Sequence, residues 1–179
     1  MTLLEITVAS VLLVIVLGAV YLSLNSSMDA ERTGVATAAI EQDGRRVLDQ
    51  VALDLRSSAA SQVTIANVGG IYTLTANQNT GYVGGAITWA APVTYTVAYA
   101  VGEINNGVDD NRNQLVDEMV ITRTQNGVTR TLAESVKENS FTCVIANNAV
   151  TVTFKLQTID AKNIVVERTH TTSSAMRNN

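Results

Sequence analysis

The feature that most constrains this chain is an uncharged apolar run over residues 6–24, ITVASVLLVIVLGAVYLSL. At about 1.5 Å per residue, a helix of this length nearly matches a hydrocarbon core of about 30 Å. The run is therefore predicted to cross a bilayer as one helix. A signal sequence normally opens with basic residues, whereas the first Lys or Arg here is Arg32. We therefore expect a chain whose leader has already been cut off.

One acidic residue, Glu5, precedes the apolar run. It is the only ionisable side chain before Asp29, and a carboxylate at bilayer depth is costly unless it is paired or protonated. The amine of Met1 on the same helix is poorly placed to reach it, so the Met1 amine of a neighbouring copy is the simplest partner. The alternative is that Glu5 lies at headgroup level, favoured by the N-terminal dipole of the helix.

Helical spacing continues beyond residue 24. Apolar or small side chains recur on one face, while most charges lie elsewhere; they are Val35, Ala39, Ile40, Gly44, Val47, Leu48, Val51 and Leu55. The sequence SSAA at residues 57–60 marks the predicted end. We therefore divide the helix into an apolar part, residues 1–24, and an amphipathic part, residues 25–57, followed by a head of residues 58–179.

The head contains nine runs rich in Thr, Val and Ile, many with the alternation of half-buried strands. They cover residues 62–68, 71–76, 86–90, 93–101, 119–124, 128–132, 140–146, 150–158 and 164–172. Asn126-Gly127 and Asn147-Asn148 are hairpin turn signals between such runs. The predicted fold is α+β, with the long N-terminal helix packed on an antiparallel β-sheet head.

The beginning of the chain, TLLEITVASVLLVIVLGAVYLSL, resembles the mature N-terminus of type IV pilins and pseudopilins. That family usually has an aromatic first residue, Thr, two aliphatic residues, Glu at the fifth place and an apolar helix. Met1 stands where Phe is usual. Further segments are similar to the minor pilin W and pseudopilin J group, namely RRVLD at residues 45–49, LDLR at 53–56, LAESV at 132–136, VTVTFKL at 150–156 and SSAMRNN at 173–179.

The resemblance implies a filament subunit and not an enzyme. It implies N-methylation of Met1, pairing of Glu5 with a neighbouring N-terminus, and the prepilin peptidase and inner-membrane assembly machinery as partners, besides copies of the chain or other pilins. The subunit would move from the bacterial inner membrane into a cell-surface filament or periplasmic pseudopilus, and adhesion, motility, DNA uptake and secretion are all open as its role. Alternatives are a minor or priming pseudopilin of a type II secretion system and a solitary membrane-anchored binding domain.

A polar segment, NNGVDDNRNQLVDE, separates two predicted strands. Oxygen-bearing side chains alternate in it as they do in a calcium loop; the candidate ligands are Asp109, Asn111, Asn113, the Leu115 carbonyl, Asp117 and Glu118. Gln114 stands where an EF-hand needs Gly, and Val120 stands where it needs an acidic residue. Asn and Asp also favour turns for conformational reasons, so calcium and a solvated turn are both open.

Composition and the positions of single residues argue against nucleic-acid binding and against metal or catalytic roles for Cys143 and His170. The net charge is −4 and the basic residues are scattered, so nucleic acid is not expected as a partner. Cys143, the single cysteine, lies in an apolar run and is expected to pack as a small hydrophobe. His170 has no second His or Cys near it in sequence, so no metal or catalytic role is expected for it.

Overall fold

The computed structural model describes residues 2–176, and one helix dominates it. Helix α1 covers Leu3–Arg56, 54 residues, with Thr2 as its N-cap and Ser57 as its C-cap. At the standard rise it is about 80 Å long. The predicted end at residue 57 is therefore correct to within one residue, and Gly18, Gly34 and Gly44 do not interrupt the helix.

A 3₁₀ turn, Ala60–Gln62, leads from the helix into ten strands. They are β1 Val63–Val68, β2 Ile71–Ala76, β3 Asn79–Val83, β4 Ala86–Trp89, β5 Val93–Tyr99, β6 Met119–Gln125, β7 Val128–Val136, β8 Thr142–Ala146, β9 Ala149–Ile159 and β10 Val165–Ala175. All nine predicted runs contain a strand. Strand β3 was not predicted; its residues NTGYV include a glycine, and within residues 2–176 it pairs with β4 in a separate two-stranded sheet.

The main sheet is antiparallel, in the order β1-β2-β5-β6-β7-β9-β10, and β8 also pairs with β9. Both predicted hairpin turns are present. Asn126 and Gly127 have φ of 52° and 76°, and Asn147 and Asn148 have φ of 48° and 63°. Two successive positive φ values are what a tight two-residue hairpin turn requires, which explains why these residue types predicted the turns correctly.

The second half of α1 packs on β7, β9 and β10. The core forms between them, because one helical face meets the inward side chains of the sheet; its helix members are Ile40, Val47, Val51 and Leu55, and its largest sheet members are Tyr95, Phe154, Leu74, Met119 and Ile121. The α+β layout predicted from the sequence, a long helix on an antiparallel sheet, is therefore present.

Candidate functional site

The first half of α1 is an uncovered apolar surface. Every residue from 2 to 28 is exposed, and an 18-residue window of the helix has a mean hydropathy of 2.6 with none of it buried. By length and composition this part of the helix can cross a membrane. The head leaves this apolar surface uncovered, so it is the first candidate for a functional surface.

Glu5 lies at the N-terminus of this surface in a capping box. The Thr2 amide donates to Glu5 Oε2 at 2.8 Å, and the Glu5 amide donates to Thr2 Oγ1 at 3.3 Å. These two bonds satisfy main-chain donors that have no partner within the helix. Met1, the other predicted assembly residue and the predicted methylation site, lies outside the described residues. Glu5 has no ion pair within residues 2–176.

A buried carboxylate, Asp54, fastens the helix to the sheet. Its side chain accepts from Arg123 Nε at 2.7 Å, from the Tyr95 hydroxyl, and from Gln78 Nε2 at 2.9 Å. Burial, together with the hydrogen bond to Asp54, raises the pKa of Tyr95, and the hydrogen bond to Asp54 raises the pKa of Arg123. Arg123 therefore stays charged and Tyr95 stays a donor.

This cluster was not predicted from the sequence, although the sequence contains a signal for it. Asp54 lies three residues after Val51 and one before Leu55, which places a charge on the buried face of the helix. A buried charge of this kind needs a partner of opposite charge from elsewhere in the fold. Arg123 on β6 provides that charge, 69 positions away in sequence.

Helix α1 approaches the sheet closely at Gly44. A Cβ on Gly44 would lie 2.3 Å from His170 Cε1 and 2.4 Å from both ring nitrogens. His170 is buried, its ring centroid lies 5.5 Å from that of Phe154, and its Nε2 has no hydrogen-bond partner within residues 2–176. Desolvation lowers the pKa of His170. It is therefore a packed core residue.

Cys143 is half-buried, and burial raises the pKa of its thiol to about 11. At neutral pH the side chain therefore remains a protonated thiol, which is the unreactive form. A packing role was predicted for it, and the partly buried position beside the core fits that role.

The predicted cation segment lies in the loop of residues 100–118 between β5 and β6. The Ala100 amide donates to the Glu118 carbonyl at 2.9 Å, which closes the base of the loop. Glu103, which the sequence analysis did not include, is buried and accepts from the amides of Asn111 and Asp117 at 2.9 and 3.2 Å. It joins the middle of the candidate segment to its C-terminal end.

The candidate ligands differ in the hydrogen bonds that they make. Both Asp109 oxygens accept main-chain amides, those of Asn113 and Gln114, and the Asp117 carboxylate accepts those of Asn106 and Gly107. Leu115 is buried, and its amide donates to Asn113 Oδ1 at 2.8 Å.

Glu118 is placed differently, because its carboxylate faces the interior of the loop. Asn111 Nδ2 and Asn113 Nδ2 donate to its Oε1 at 2.6 and 2.5 Å. Within residues 2–176, no group of three or more His, Cys, Asp and Glu side chains is arranged to hold a metal ion. A cation at this loop would therefore need amide and main-chain oxygens as well as carboxylates.

Comparison of the chain with protein-family models, with curated proteins and with solved structures finds no match. Two features of the chain itself bear on its function. These are the uncovered apolar half of α1, with Glu5 at its start, and the polar loop between β5 and β6.

Proposed function

We propose that this chain is a structural subunit of a type IV pilus-like filament, with no catalysis of its own, joined to its neighbours through the apolar half of α1. The observation that supports this most is the continuity of the helix. One half is fixed to the sheet by Asp54 and the core, and the other half is apolar and uncovered over residues 2–28. Such a surface must be buried in lipid or against other helices.

The composition of the apolar half suits both environments. Before assembly, its length and hydropathy fit a bilayer. In a filament, small residues let helix backbones approach closely, and Ala9, Ser10, Gly18 and Ala19 provide such positions on the exposed helix. The partners that we propose are copies of the chain or other pilins, and a minor or priming pseudopilin remains the alternative within this class.

Glu5 gives the proposed assembly its register. Once neighbouring helices surround it, its carboxylate leaves water, and an uncompensated buried charge is strongly unfavourable. Oε2 already accepts the Thr2 amide, whereas Oε1 has no hydrogen-bond partner within residues 2–176. We propose that the terminal amine of an adjacent subunit pairs with this carboxylate.

The capping box offers a competing explanation of Glu5, and two substitutions separate the explanations. Glu5→Gln retains a side chain that can complete the capping box and removes the charge. Thr2→Val, the matched control, removes the Thr2 Oγ1 acceptor and retains the charge. We expect Glu5→Gln to reduce filament yield about tenfold or more, since tenfold corresponds to about 1.4 kcal/mol and breaking a buried ion pair costs more.

The assay compares sheared filaments with the membrane-inserted pool of each variant by immunoblot, in cells that provide the assembly machinery. Thr2→Val should assemble nearly normally, and Glu5→Ala should fail at least as severely as Glu5→Gln. Normal filaments from Glu5→Gln would show that Glu5 only caps the helix. If the unaltered chain forms no filament and remains a membrane monomer, a solitary anchored domain becomes the better proposal.

A further inference from the structure

The loop between β5 and β6 contains a buried carboxylate oxygen without a partner. Glu118 is 2% exposed, and its Oε2 makes no hydrogen bond within residues 2–176. A buried ionised oxygen in this condition is costly and needs a compensating group. The other oxygen, Oε1, contacts the amide groups of Asn111 and Asn113, so the carboxylate points into the loop and towards two further oxygen-bearing side chains.

The electrostatics of the loop favour a cation. Residues 103–118 contain the carboxylates Glu103, Asp109, Asp110, Asp117 and Glu118, and their only basic residue is Arg112. Three of these carboxylates, Glu103, Asp117 and Glu118, are buried. None of the ion pairs found within residues 2–176 includes any of them. Unpaired carboxylates at this density repel one another at neutral pH, and a bound cation removes the repulsion.

From the buried Oε2 of Glu118 and the convergence of Asn111 and Asn113 on the same carboxylate, we propose that this loop binds one calcium ion. Glu118 is the principal ligand, Asn111 and Asn113 provide side-chain oxygens, and Asp109 and the Leu115 carbonyl complete the shell. Glu103 and Asp117 hold the loop by accepting main-chain amides. This binding does not depend on the proposed filament function.

The chemistry of the donors selects the class of metal. Residues 103–118 contain no His or Cys, the ligands that zinc and copper prefer. Carboxylate, amide and main-chain oxygens in an irregular loop suit calcium, which accepts six to eight oxygens in flexible geometry. Magnesium requires a near-ideal octahedron and retains its waters, so it should compete poorly here.

Binding requires a small rearrangement that makes the proposal testable. Asn111 and Asn113 now direct Nδ2 towards Glu118, while their Oδ1 atoms accept the amides of Asn113 and Leu115. Rotation of each terminal amide would direct Oδ1 towards the ion and release those amides, of which the Asn113 amide keeps its bond to Asp109. An aspartate at position 113 would avoid the conflict, since it has two acceptor oxygens.

The experiment measures thermal unfolding of the full chain in detergent, with calcium chloride, magnesium chloride or chelator, together with calcium titration by calorimetry. The unaltered chain should bind one calcium per chain, and its Tm should rise by about 5–11 °C when free calcium exceeds Kd a hundredfold. Equal magnesium should give a much smaller rise. No calcium-dependent rise would overturn the proposal.

Three variants test the assignment of ligands. Glu118→Gln removes the buried charge and should abolish the calcium-dependent shift. Asp110→Asn is the matched control, because Asp110 is exposed and, within residues 2–176, its side chain accepts only from Asn106 Nδ2. This variant should retain the shift. A shift retained in Glu118→Gln, or lost equally in Asp110→Asn, would show only diffuse charge screening and contradict the site.

Asn113→Asp decides the question even if Glu118→Gln does not fold. Asn113 is exposed, and the substitution places a second carboxylate against Glu118. If the loop binds calcium, the variant should melt below the unaltered chain in chelator, recover in calcium, and bind calcium about tenfold more tightly. If calcium does not restore its Tm, the loop is not a calcium site.

Discussion

Gly44→Ala is a strong test of how helix α1 packs on the sheet, because two opposing effects act at one atom. In a helix, replacing Gly by Ala is worth about 1 kcal/mol in favour of folding. The new Cβ, however, would lie 2.3 Å from His170 Cε1 and 2.4 Å from both ring nitrogens. Optimal contacts between heavy atoms are about 3.5–4.0 Å, so the ring must move by more than about 1 Å.

The magnitude follows from how little room the ring has. His170 is buried and stands 5.5 Å from the Phe154 ring, so a rigid imidazole cannot give way without disturbing the core. Overpacking of this kind costs about 1–3 kcal/mol, and we expect the upper part of that range. The net effect of Gly44→Ala is then a loss of about 2 kcal/mol, or about 4–8 °C in Tm for a domain of this size.

Scanning calorimetry of the full chain in detergent measures this change, and two controls isolate its cause. Apart from the nearby backbone of its own helix, no atom of residues 2–176 lies within 4 Å of a Cβ added at Gly34, so Gly34→Ala should not destabilise the protein. In a His170→Ala background, the methyl group has space, and Gly44→Ala should become stabilising by about 1 kcal/mol. Gly44→Ala that is as stable as the unaltered chain, with His170 in place, would refute the reasoning.

Two further predictions concern buried polar groups outside the loop. Asp54→Ala should lower the free energy of unfolding in urea by about 3–5 kcal/mol, because it leaves Arg123, whose side chain is only 15% exposed, without its carboxylate. The double variant with Arg123→Ala should then lose little more stability. Additive losses from the two substitutions would contradict the pairing. Desolvation lowers the pKa of His170 from 6.5, against an opposing contribution from Glu41 and with a minor one from Arg45. The unfolded chain therefore binds the proton more readily, so the contribution of His170 to stability should be complete above pH 6.5 and fall as the pH drops towards the lower native pKa. In unfolding curves at pH 7.5 and 5, His170→Gln should remove this difference in stability. An unchanged dependence of stability on pH would contradict the assignment.

The sequence was a good guide wherever the physics is local. Helix α1 was predicted because apolar and small residues recur at helical spacing, and Ser57 and the residues after it end that pattern. The turns at Asn126-Gly127 and Asn147-Asn148 were predicted because few residue types adopt successive positive φ angles. The missed strand β3 has the weakest pattern and only one neighbour, so its formation depends on pairing more than on propensity.

The sequence also determined which groups are available in the two candidate sites. The apolar run and Glu5 are visible without coordinates, because a single charge beside a long uncharged segment has few physical explanations. The alternation of Asp and Asn in the loop is likewise visible in the sequence alone. The role of Glu103 could not be predicted from the sequence, since it comes from accepting the amides of Asn111 and Asp117 in the closed loop.

Tertiary structure alone decided where charges are buried and what they contact. Asp54 is one of many acidic residues in sequence, yet folding places it at 2% exposure between Arg123 and Tyr95, residues from two different strands. Likewise, the packing around Glu118 buries its Oε2 and leaves this oxygen without a hydrogen-bond partner within residues 2–176. Helical and strand periodicity depend on neighbours in the chain, whereas burial and pairing depend on residues far apart in sequence, which only the folded chain brings together.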